Sequence, residues 1–181
     1  MSELNIFKRQ HVMLDIETLS TRANAAIVSI GAVKFTFEDG LGDSMLVNIT
    51  PKSCVAAGLH VSKSTIEWWA KQPKEVREAW ATDPVPLDTA LESVIQFVGV
   101  DKKQLVWSQG ASFDFPIIHS ACTATNVDWK TPYWNECCSR TVFTLLGVRN
   151  DKNRNGATDA HTALGDAIAQ AKLLIGCFSE K

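Results

Sequence analysis

Residues 26–37 read Ala-Ile-Val-Ser-Ile-Gly-Ala-Val-Lys-Phe-Thr-Phe. β-Branched and aromatic residues dominate this run, and it ends in apolar–polar alternation, so it is expected to be a strand. Upstream, Val12-Met-Leu14 is a short apolar run of the kind a buried strand shows. Downstream, Glu38-Asp-Gly-Leu-Gly-Asp43 carries turn chemistry, and Ser44-Met-Leu-Val-Asn-Ile-Thr50 returns as a strand closing a hairpin with the first stretch. Three strands in succession predict an antiparallel meander.

The pattern then turns helical. Residues 65–72 and 73–81 read as two helical pieces, with Pro73 suited to a first turn. Residues 87–98 place Leu87, Leu91, Val94, Ile95 and Val98 at helical spacing. Strand character comes back at 104–108, followed by a helix over 112–123, a short strand near 134–138, a helix around 140–146 and a last helix to about 177. The order predicts an α/β fold whose five-stranded mixed sheet has an antiparallel meander followed by parallel strands, with helices on both faces. No repeat, low-complexity tract or linker interrupts it, so residues 1–181 are expected to be one domain.

Composition excludes several functions. The 181 residues are 45% hydrophobic with a net charge of −2, which leaves no broad basic surface to hold nucleic acid by phosphate neutralisation alone. A polyanion would need bound cations. Cys54, Cys122, Cys137, Cys138 and Cys177 form no CxxC pair and are odd in number, against a zinc finger or a disulfide framework. They are expected to be reduced and mostly buried. The N-terminal stretch lacks the apolar run of a signal peptide, and no segment nears the roughly 18 apolar residues of a membrane span. A soluble, cytoplasmic chain is expected.

Chemistry begins at Leu14-Asp15-Ile16-Glu17-Thr18. Residues two apart on a strand share a face, so Asp15 and Glu17 stand side by side, and two like charges so placed call for a cation. Alternatively, both simply end the strand in solvent. Asp114, in Ser112-Phe-Asp114, lies at a strand-to-helix switch, where ligand-bearing residues gather, although an acid at a helix N-terminus is also accounted for by the helix dipole. Asp166 has the same ordinary explanation. The small residues Ala163, Gly165 and Ala167 around it are expected to leave room for something bulky.

His161 precedes Asp166 by five residues, which in a continuous helix is about 140° away from a shared direction. It is therefore expected in the lead-in to the helix, reaching over a site that Asp166 enters from the first turns. His11, His60 and His119 have no acidic constellation and are expected to be structural or surface residues.

Asp15-Ile-Glu17-Thr18, Ser112-Phe-Asp114 and His161-x-x-x-x-Asp166, in this order, resemble the three motifs of the DEDDh (DnaQ-like) 3′-to-5′ exonuclease superfamily, on the ribonuclease H-like fold. The segments VSIGAVKF, TIEWWAKQ, WSQGASFD and HTALGDA are similar to the short single-domain exonucleases of bacteria and phages, including exodeoxyribonuclease VIII-like proteins and the mycobacterial exoribonuclease-like domain. The resemblance implies two Mg²⁺ or Mn²⁺ ions held by Asp15, Glu17, Asp114 and Asp166, with Asp15 bridging and His161 as general base. It also implies Thr18 and Leu19 beneath the terminal nucleotide, the latter as an apolar wedge.

Oxygen ligands suit such hard cations, two of which stabilise the attacking and leaving oxygens of a phosphodiester, and a neutral imidazole accepts a proton near pH 7. The implied partner is the 3′ end of single-stranded DNA or RNA, with no membrane and with a homodimer as a candidate assembly. On the 65–72 helix, Ile66, Trp69 and Ala70 share one face and are expected in the core, which leaves Trp68 to stack on a base; Phe113 is expected to line the same pocket or pack in the core. The chain departs from the family pattern at Gly165 and at Cys138-Ser-Arg140-Thr141, where relatives carry acids. The rival readings are a non-catalytic domain of the same fold that binds a nucleic-acid end or a partner, and an endonuclease, which usually needs a longer basic footprint.

Overall fold

The computed structural model describes residues 6–101, 103–148 and 162–179. Strands β1 (His11–Thr18), β2 (Ile27–Thr36) and β3 (Gly40–Asn48) come first, then helices α1 (Pro51–Ala56), α2 (Lys63–Trp69), α3 (Lys74–Ala79) and α4 (Leu87–Val98). They are followed by β4 (Val106–Ser108), α5 (Ala111–Thr125), β5 (Glu136–Cys138), α6 (Ser139–Leu145) and α7 (Ala163–Ser179). The sheet order is β3-β2-β1-β4-β5. β3, β2 and β1 run antiparallel, whereas β4 and β5 join β1 in parallel, the mixed sheet the sequence predicts.

Period-two alternation along β1 divides the molecule into two layers. Val12, Leu14 and Ile16 pack on one face with Leu91 and Val94 of α4 and Ile117 and Ile118 of α5. Each such fully buried aliphatic side chain contributes about 2 kcal/mol. On the other face Met13 joins Val33, Phe35 and Trp107 beneath Ala167, Ala171 and Leu174 of α7. The same alternation sends Asp15 and Glu17 to the α7 side, at the carboxyl end of the central strand.

Several local expectations are corrected. β3 begins at Gly40 rather than residue 44, because Gly40 adopts φ +87° and closes a tight turn over 37–39. Helix α1 was not expected; Pro51 starts it, and its six residues are too few to show a period. In α2, Ile66 is 44% exposed and Ala70 is exposed as well, so Trp69 alone anchors this short helix. Ala163 and Ala167 do not leave space for a ligand: both are buried against the sheet. Of the cysteines, all free, Cys54 and Cys122 are buried and the other three only partly so. His11 is wholly buried, its Nε2 donating to the Ile6 carbonyl at 2.9 Å, while His60 pairs with Ser20 and His119 with Glu136. No helix among the described residues is long and apolar enough to cross a membrane.

Candidate active site

Gly31 lies opposite Asp15 in the β1–β2 register. A Cβ at this position would fall 2.2 Å from the Ala163 carbonyl carbon and the Leu164 nitrogen, so only the missing side chain lets the first turn of α7 rest on the backbone of β2. Thr162 opens that turn, its Oγ1 accepting from the Gly165 N–H at 3.2 Å as a helix cap does. Asp166 is thereby delivered from the first turn of α7 to the end of β1. One carboxylate oxygen from each of Asp15, Glu17 and Asp166 lies within 4.8 Å of the others. One helical turn on, Gln170 Nε2 donates to Asp15 Oδ1 at 2.7 Å and fixes that carboxylate's orientation.

Asp114 enters from the first turn of α5 and is buried. It stands outside the group of three, yet among neighbouring charges its carboxylate acts most strongly on Asp15. Burial, then the charges of Asp114, Glu17 and Asp166, push Asp15 well above the usual carboxylate range, with the Gln170 amide opposing. Burial and the charges of Asp166 and Asp114 push Glu17 up to about 8. Asp114 is pushed up to about 6 by burial, offset by Ser108, the backbone near Ile16 and the Arg140 guanidinium. Carboxyl groups that repel one another out of ionisation are stabilised as anions by a divalent cation, and an all-oxygen donor set suits a hard one. The cluster can hold a metal ion.

Beside the acids opens a cleft of about 430 Å³ lined by Ile16, Glu17, Thr18, Trp68, Trp69 and Phe113, among others. Trp68 and Phe113, both lining it, are 44% and 36% exposed. Three of the residues expected at the substrate, Thr18, Trp68 and Phe113, thus share one wall with Glu17. Leu19 is 4% exposed and packs in the core instead; Ile16 holds the lining position. His161 lies outside the described residues. Sequence reasoning missed Gly31, Gln170 and Arg140. A glycine inside a strand run signals close backbone approach, so Gly31 left a trace; a neutral amide within a helix and an arginine at a helix start leave none.

The β3-β2-β1-β4-β5 mixed sheet with its helices matches the ribonuclease H-like fold of the DEDDh exonucleases. Residues 10–178 match the family described as the 3′-5′ exoribonuclease Rv2179c-like domain, and the chain belongs to it. It is 28% identical over 121 residues to an exodeoxyribonuclease of Enterobacteria phage T4, covering 59% of this chain and 52% of the relative, so it spans about half that protein's length. E. coli exonuclease I in complex with a dT13 oligonucleotide superposes with a TM-score of 0.66 at 12% identity, over 95% of this chain and 41% of the other. The nuclease domain of 3′hExo, a DEDDh family member bound to rAMP, gives 0.63 at 11% identity over 92% and 90%. At these identities the structural likeness is one of fold.

Proposed function

We propose that residues 1–181 are a single metal-dependent 3′-to-5′ exonuclease domain that hydrolyses phosphodiester bonds at the 3′ end of single-stranded DNA or RNA, or of 3′ overhangs, releasing nucleoside 5′-monophosphates. The observation that carries this reading is the convergence of Asp15, Glu17 and Asp166 within 4.8 Å, with Glu17 also lining an aromatic cleft of nucleotide size. Asp15, Glu17, Asp114 and Asp166 would hold two Mg²⁺ or Mn²⁺ ions. When bound, such ions stabilise charge on the attacking and leaving oxygens.

The remaining work falls to the chain. Trp68 and Phe113 take the terminal base between aromatic surfaces, Thr18 contacts its sugar end, and Ile16 supplies the apolar floor in place of Leu19. Gln170 holds Asp15 in orientation. His161 accepts the proton of the attacking water, a task an imidazole performs near neutral pH. The family description names RNA and the phage relative DNA, so both polymers are within the proposal. Native mass measurement tests the homodimer.

Digestion of matched, end-labelled single-stranded DNA and RNA tests the activity. The expected result is release of mononucleotides from the 3′ end with Mg²⁺ or Mn²⁺, abolished by EDTA and by Asp15→Ala. Release from the 5′ end, or internal cutting, rejects the assignment.

A further inference from the structure

At the end of β1 the pairing slips: Glu17 faces Ser29, but Thr18 faces Ile27, which leaves an extra residue on β2. Val28 is that residue, and a bulge of this kind disrupts the ladder and re-aims the side chains beside it. Across from it the Thr18 carbonyl accepts from the indole of Trp69, whose Nε1 donates to it at 2.9 Å. The same indole is edge-on to Trp68 at 5.0 Å and to Trp80 at 6.2 Å, and it lines the cleft that Trp68 and Phe113 form. A second bond, from Ser62 N to Leu19 O at 2.8 Å, ties the start of α2 to the same bulge.

We propose that Trp69 is a positioning residue that links occupation of the aromatic cleft to the placement of Glu17: a nucleotide base settling against Trp68 sets α2, and the Trp69 N–H holds the β1 backbone opposite the bulge, one residue after Glu17. This rests on the exonuclease reading above. The N–H, rather than the bulk of the ring, is the active feature. Trp80 belongs to the same ring cluster, and its buried Nε1 has no hydrogen-bond partner among the described residues, so it serves as a packing control.

The test compares Trp69→Phe, Trp80→Phe and Asp15→Ala with the unaltered chain by kcat and KM on an end-labelled single strand, and by Mn²⁺ affinity from electron paramagnetic resonance with and without AMP. Loss of one buried, oriented hydrogen bond is expected to lower kcat about tenfold, with a smaller change in KM. Mn²⁺ binding should weaken, and AMP should cease to tighten it, while Trp80→Phe keeps all three properties. Should Trp69→Phe not fold, replacing Trp69 with benzothienylalanine, which keeps the shape and lacks the N–H, gives the same comparison. A Trp69→Phe chain with unaltered kcat and Mn²⁺ affinity, whatever its melting temperature, overturns the proposal. If the unaltered chain releases no nucleotide and Asp15→Ala changes nothing, it is the exonuclease reading that fails.

Discussion

Glu17 shows what the site costs the metal-free fold. Its carboxyl, pushed up to about 8 by burial and by Asp166 and Asp114, keeps a proton in the folded chain that an unfolded chain releases near 4.5. The folded state therefore binds more protons over that interval, and stability falls as pH rises through it. The melting temperature of the metal-free protein is expected to drop between about pH 5 and pH 8, and millimolar Mn²⁺ to restore it at the upper end; Glu17→Gln should flatten the drop. A melting temperature that rises steadily over this range without metal contradicts the electrostatics. The spacing of Asp15 and Glu17 was legible in the sequence because strand alternation alone puts them on one face. Gln170 was not, because a neutral amide on a helix has no charge pattern to separate it from a solvent-facing residue.

Among the elements, the contact between α7 and β2 decides whether the acids meet. Gly31 leaves no side chain where Ala163 and Leu164 pass, and Thr162 caps the turn that carries Asp166. Gly31→Ala is expected to destabilise the protein by about 1–3 kcal/mol through overpacking. Because the relief is for α7 to lift from the sheet, the variant should also lose most nuclease activity at temperatures where circular dichroism reports it folded. Full activity in a folded Gly31→Ala chain contradicts this role. The sequence displayed the small residues Ala163 and Ala167 but not their use: room for a ligand and contact with a neighbouring backbone have the same composition, and only topology separates them. Helix α2 was read with three core positions and has one, since two turns docked through a single tryptophan do not follow the face rule of a longer helix.

At the scale of the whole molecule, the order of strands and helices fixed the class of sheet. The long apolar runs and the switch from period two to helical spacing survive in a single sequence, whereas three-residue strands such as β4 and β5 take their pairing from the fold around them. A chain of net charge −2 brings Asp15, Glu17, Asp114 and Asp166 near one another from positions up to 151 residues apart, so under the proposed function a polyanion would meet a cluster of acids. The proposal therefore requires divalent cations at the cluster. Titration of Mn²⁺ into the metal-free chain, followed by electron paramagnetic resonance, addresses this most directly. The unaltered protein is expected to bind Mn²⁺ and Asp15→Ala to abolish that binding while the fold is retained; no binding, or equal binding by both proteins, would contradict a metal site at these acids.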